Sequence, residues 1–283
     1  GTTTRASIGH AGDAIGADAE FGVISGSGRY VAYSSAASNI VSGDTNGTKD
    51  VFVRDLVNKT NERVSISVFE GQSLMDSYGP SISDDGNRIA FVSGEELAGG
   101  RADAATDVFV RDRSAGTTYN ANLDNAANSG NADPQRPVIS GNGRYVAFAS
   151  AATNLVTGDS NGKIDVFRRD LKDNVTVRVS LHDNDAQLGA DSGNPSLSDT
   201  GDKVAFTANA PAVSGTDAGP DSDVFVRSVI ATTTVRASTS TNAPDPVGTH
   251  EDGRLSDDGL TVALEHRFAV VAQHPQVLRH VVT

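Results

Sequence analysis

The chain has no cysteine, no tryptophan and one methionine among its 283 residues. Without cysteine there is no disulfide framework and no thiolate metal site. Without tryptophan it lacks a side chain often used to stack sugars. No basic stripe of the kind a nucleic-acid binder needs to displace counterions is present: 36 acidic residues face 23 basic ones, for a formal charge of −13. No apolar run approaches the length of a membrane span, and there is neither signal peptide nor initiator methionine. The opening "GTTTRAS" reads as the middle of something, so the expectation is a mature or excised domain, monomeric or part of a longer chain. Gly, Ser, Thr, Asn and Asp are abundant, a mixture that suits short strands joined by tight turns.

Internal repetition organises the chain. A Ser-x-x-Gly phrase followed by an apolar run starts at Ser25, Ser83, Ser140, Ser198 and Ser256, with spacings of 58, 57, 58 and 58 residues. "DVFVRD" or a near copy follows the first four, at Asp50, Asp107, Asp165 and Asp223. A third phrase comes next, as in "TNERVSIS" and "VTVRVSLH". Each unit therefore holds four strand candidates: in the first, A (Glu20 to Ser25), B (Tyr30 to Ser34), C (Val51 to Asp55) and D (Glu62 to Ser67). Strands B and C are nearly all apolar, which means both faces are covered. A ring of four-stranded units provides such cover. The fifth unit ends early, at "QVLRHVVT", and the first residues supply what it lacks: "QVLRHVVTGTTTRAS" matches "VFVRSVIATTTVRAS" of the fourth unit in register. The expected architecture is all-β, a five-bladed β-propeller of four-stranded antiparallel blades, closed by the N-terminal strand joining the last blade. Its blades run about 19–67, 77–124, 134–182, 192–239, and 250–283 plus 1–9, in one domain, 1–283.

These phrases resemble the TolB-like, or PD40 (WD40-like), β-propeller repeat over essentially the whole chain. The resemblance implies the fold. It leaves function open, because such propellers include periplasmic protein-binding domains, non-catalytic domains of peptidases and domains of carbohydrate-active enzymes. The fifth unit departs most, lacking "DVFVRD" and the acidic loop before it.

That acidic loop joins strands B and C and is long for a hairpin connection. It offers oxygen donors at alternate positions: Asp44, Asn46, the Thr48 carbonyl and Asp50 in the first unit, and Asp159, Asn161, the Lys163 carbonyl and Asp165 in the third. The fourth offers Asp217, Asp221 and Asp223. Calcium wants six to eight oxygens on a backbone that can curl, so Ca2+ is an expected ligand of these loops. The competing reading is that Asp and Asn order the loop through Asx turns, without metal. A second repeated set, Asp18, Asp76, Asp133 and Asp191, falls where strand A begins and is expected at the mouth of the central channel, as a carboxylate ring or as turn caps. Two residues on stand Glu20 and Glu251, in blades that ring closure makes neighbours. A carboxylate pair can run glycoside cleavage if one member is held protonated. Histidines cluster late (His250, His266, His274, His280) without zinc spacing. There is no nucleophile elbow and no phosphate loop.

The expected function is a non-enzymatic, secreted or periplasmic propeller that binds a protein or glycan partner through its D–A and B–C loop face, with calcium ordering the B–C loops. The alternative is a carbohydrate-active enzyme, a glycoside hydrolase or lyase, using Glu20 and Glu251 at the channel mouth. A third reading is a structural spacer from a longer surface protein.

Overall fold

The structure, a computed structural model, describes residues 1–99, 106–209, 222–238, 248–268 and 276–281; all regular elements among them are strands. Five antiparallel sheets follow one another along the chain. The first contains β1 (Ala19–Ile24), β2 (Tyr30–Ser35), β3 (Asp50–Asp55) and β4 (Thr60–Arg63). The second contains β5 (Ser77–Ile82), β6 (Arg88–Ser93), β7 (Asp107–Asp112) and β8 (Thr117–Asn120). The third has β9 (Val138–Ile139), β10 (Tyr145–Ser150), β11 (Asp165–Asp170) and β12 (Val175–Arg178). The fourth has β13 (Ser192–Leu197), β14 (Lys203–Ala208), β15 (Asp223–Ser228) and β16 (Thr233–Arg236). The fifth has three: β17 (Gly248–Leu255), β18 (Thr261–Phe268) and β19 (Gln276–Val281). Each sheet keeps chain order from one edge to the other, and the first strands of all five line one central cavity. This is a five-bladed β-propeller.

The Ser-x-x-Gly phrase makes the turn between the first two strands of each blade. Ser25 Oγ accepts the Tyr30 amide, and Gly28, at φ 67°, donates back to the Ser25 carbonyl. The same bonds recur around Ser83, Ser140, Ser198 and Ser256. The middle strands carry the core. Aromatic side chains on neighbouring middle strands meet in pairs, Tyr33 with Phe52, Phe91 with Phe109, Phe148 with Phe167 and Phe206 with Phe225, at ring separations of 5.7–6.3 Å. Alternate residues face opposite ways: Val51 and Val53 pack on Phe91 and Phe109 of the second blade, while Phe52 and Tyr33 pack on Ile15 and Ala17. Each interior sheet is thus covered on both faces.

After the fourth strand each blade makes a small hairpin that reaches the next blade. The hairpin bridged at Ile66–Gln72 takes a bond from Thr118 Oγ1 of β8, which donates to the Ile66 carbonyl at 2.7 Å. Leu123 is held likewise by Thr176, and Leu181 by Thr234 at 2.9 Å. At the N-terminus the bridge Ile8–Ala14 forms the same hairpin, and Asn61 Nδ2 of β4 donates to the Ile8 carbonyl at 2.7 Å. The N-terminal segment therefore supplies the inter-blade hairpin that precedes the first blade. Among the described residues the fifth sheet has three strands, and residues 1–7 carry none.

Asn61 also donates to the Ile40 carbonyl, so it ties the N-terminal hairpin to the first blade's own loop. Asn61→Ala is expected to lower the free energy of unfolding by about 1–2 kcal/mol in urea titration. An unchanged midpoint would mean the hairpin is not docked there.

Candidate functional site

The B–C and D–A connections share one face, as the register of the sheets requires. Lys49 of the first B–C loop donates its amide to Asp76 Oδ1 at 2.8 Å, and Thr45 donates to Gln72 Oε1 at 3.2 Å. Asp133 and Asp191 repeat the capping role, accepting the amides of Thr106 and Ile164 at 2.9 Å. Three of the four aspartates expected at the channel mouth thus each tie a D–A connection to the preceding blade's B–C loop while remaining exposed. Asp18 is exposed at the corresponding place.

In the B–C loops the carboxylates gather around an arginine. Arg63 Nη1 lies 3.1 Å from Asp44 Oδ1 and 3.4 Å from Asp50 Oδ2. Ser65 Oγ donates to Asp50 Oδ1 at 2.5 Å, and Asn46 Nδ2 donates to Asp50 Oδ2 at 2.8 Å. The Asn46 oxygen is turned to the Thr48 amide, closing an Asx turn. The third blade repeats the arrangement: Arg178 Nη1 stands 3.1 Å from Asp159 and 3.3 Å from Asp165, Asn161 Nδ2 donates to Asp165, and Lys163 donates its amide to Asn161 Oδ1. In the fourth, Arg236 and Ser238 hold Asp223. Asp217 and Asp221 lie outside the described residues.

These residues hold a guanidinium of the chain itself. A cation already stands between the carboxylates, and the asparagine oxygens expected as ligands are spent on loop amides. Among the described residues no three or more His, Asp or Glu side chains gather as a metal would require. Burial pushes the Asp50 carboxyl above its ordinary value, and burial with the charge of Asp50 does the same to Asp44. Asp159 is raised by burial and by Asp165. One guanidinium stabilises two carboxylates without neutralising both. Sequence reading passed over Arg63 and Arg178 because they sit on the fourth strand, 13 residues beyond the aspartate.

Glu20 lies on β1 with its carboxylate 2.7 Å from Lys49 Nζ. Glu251 pairs through its backbone with Glu265, and its side chain lies outside the described residues.

Deeper in the channel the character changes. A cavity of about 170 Å³ is lined by the inner strands of all five blades. The inner strands bulge, with register shifts between Glu20 and Val23, Tyr78 and Ser81, Gly193 and Ser196, and Glu251 and Arg254. At the bulge Phe21, Gly79 and Asn194 adopt left-handed backbone, φ 55°, 63° and 49°. Arg136 lays its guanidinium 4.6 Å from the centre of the Phe21 ring. A side chain at Gly79 would meet the Arg136 stem at 2.5 Å, so glycine there makes room for it. Arg254 enters from the fifth blade, and no carboxylate is among the described residues that line the cavity.

The opposite end, at the Ser-x-x-Gly turns, is acidic. Blades are linked there by Ser27 donating its amide to the Asp84 carbonyl, Asp84 to Gly141 and Asp199 to Asp257, at 2.8–2.9 Å. The Asp84 and Asp199 carboxylates both converge on the space above Gly141. Burial, then the charges of Asp199 and Asp257, raise the Asp84 carboxyl.

The fold and channel define a five-bladed β-propeller. No family profile and no curated protein matches the chain. Among solved structures it is similar to a putative TolB from Agrobacterium tumefaciens (TM-score 0.56, 13% identity, 93% of this chain and 76% of that one). It is also similar to TolB from Acinetobacter baumannii (0.51, 15%, 89% and 50%), half of whose length it spans. An oligogalacturonate lyase solved with manganese is comparable (0.57, 10%, 93% and 62%). Identities this low speak for the fold alone.

Two outcomes are expected from the charged sites. Arg63→Gln leaves two buried carboxylates facing each other and should cost about 3 kcal/mol or more in denaturant titration, whereas chelator should leave the wild-type melting temperature unchanged; a chelator-induced drop reversed by calcium would contradict the arginine assignment. Asp84→Asn should raise the melting temperature by a few degrees at neutral pH. The raised Asp84 carboxyl means the folded state holds its proton more tightly than the unfolded one, so its repulsion weighs on stability once ionised and is relieved by acid. The advantage of the variant should therefore shrink as pH falls towards about 4, in melting curves taken across that range. A pH-independent difference would rule out charge as the cause.

Proposed function

We propose that the chain is a non-catalytic binding module that takes a protein partner on its D–A and B–C loop face, in a secreted or periplasmic setting. The observation that supports this most is a cluster of large apolar side chains on the connection between the first two blades. Phe69 is 85% exposed, Leu74 70% and Met75 53%. Their backbone is held: Glu70 sits at left-handed φ 60° and accepts Arg111 of the next blade at 2.8 Å, and the Leu74 amide donates to Glu95. An exposed apolar group on a fixed hairpin favours a packed partner over solvent. The setting rests on the resemblance to periplasmic protein-binding propellers. No helix among the described residues is long and apolar enough to cross a membrane.

The enzyme reading has less behind it. Glu20 is engaged by Lys49, and the similarity to a lyase is one of fold. The loop-face reading is tested by capture from a secreted or periplasmic fraction with the wild-type chain and with the F69S/L74S double variant. A protein retained by the wild type and lost by about tenfold or more in the variant is expected. Equal capture by both, or none by either, would overturn it.

A further inference from the structure

We infer that the central channel is a binding site for a carboxylate ligand, gripped by the guanidinium groups of Arg136 and Arg254. This goes beyond the loop-face reading and does not depend on it.

With 36 acidic residues against 23 basic ones, an arginine has carboxylates in excess to choose from. Arg29, Arg63, Arg88, Arg111, Arg144 and Arg178 each take at least one. Arg136 and Arg254 take none: among the described residues neither makes a hydrogen bond or an ion pair, and both line a cavity shared by all five blades. Holding unpaired positive charges together costs free energy that an incoming anion recovers. Arginine presents a planar fork of donors that matches a carboxylate in two parallel bonds.

The surroundings are built to hold those forks in place. Phe21 occupies a left-handed backbone position that a bulky side chain rarely adopts, and there its ring carries the Arg136 guanidinium. Gly79, at the matching position of the second blade, leaves the space that the Arg136 stem fills. Asn194 and Gln135 add neutral amide groups to the lining, suited to hydroxyl or amide neighbours of a carboxylate. The volume, about 170 Å³, admits one sugar-acid unit or one terminal amino-acid residue.

These two sources share the carboxylate and differ in the group that bears it, a hydroxylated ring or a peptide amide. The test is calorimetric titration of the intact chain at low salt with glucuronate and with N-acetylglycine, each beside its methyl ester. At least one acid should bind saturably with one site per chain, and its ester should bind about tenfold or more weakly. Arg136→Gln and Arg254→Gln should each weaken binding by about tenfold or more, with melting temperature unchanged, while Arg5→Gln, an arginine outside the cavity, should leave it intact. The Phe21 ring resonances should shift on saturation. Tighter binding of glucuronate would assign the site to acidic sugars, and tighter binding of N-acetylglycine to a chain-terminal carboxylate. Failure of both acids to bind, equal binding of the esters, or undiminished binding by both arginine variants would overturn the proposal.

Discussion

None of the first four blades can stand alone, because the middle strands of each are apolar on both faces. β3 is buried along its whole length, as are β7 and most of β11. A single sheet would leave one of those faces in water. Each blade therefore needs a neighbour on either side, and the short hairpins that reach from one blade to the outer strand of the next fix the angle at which neighbours meet. Thr118, Thr176 and Thr234 hold three of these joints, and Asn61 holds the N-terminal one. The central channel, and whatever binds there, exists only because those joints set five inner strands around one axis.

The same need to close local gaps governs the charges. A net charge of −13 suggests an acidic, repulsive surface, yet most carboxylates have short-range work. Asp55, Asp112 and Asp170 take Arg29, Arg88 and Arg144 at the turn face. In the fourth blade the place of Arg29 and Arg144 is taken by Asp202 and that of the aspartate by Ser228, and the two bond to each other directly. On the loop face Asp44, Asp50, Asp159 and Asp165 enclose arginines. Loops that look like cation traps in sequence carry their cation as part of the chain.

Much of the fold was legible because repetition averages away local ambiguity: five copies of one turn phrase say more than any single strand. The docking of residues 8–14 on the first blade, by contrast, left no trace in the repeated letters, because Asn61, which holds that hairpin, has threonine at its place in the second, third and fourth blades. The Asp44–Arg63 partnership left a trace that only comparison between units exposes. Where Arg63 has its counterpart in the second blade the residue is Asn120, and where Asp44 has its counterpart the residue is Arg101. The two positions change together, as contacting charges do. Calcium was the natural reading of the aspartates alone because the arginine approaches from another strand.

Arg136 and Arg254 illustrate the opposite case. Across the blades the position of Arg136 reads Phe21, Gly79, Arg136, Asn194 and Asp252, and that of Arg254 reads Val23, Ser81, Val138, Ser196 and Arg254. A search for repeats discards such columns as noise. Yet a propeller's symmetric positions are consumed by blade-to-blade packing, which must be alike in every unit. A ligand on the axis sees five different inner strands, and an asymmetric ligand is met best by side chains that differ from blade to blade. Chemistry at the channel is therefore to be sought where the repeat breaks. In this chain the inner-strand breaks that reach the cavity set two unpaired arginines into the same space, one of them stacked on a strained phenylalanine.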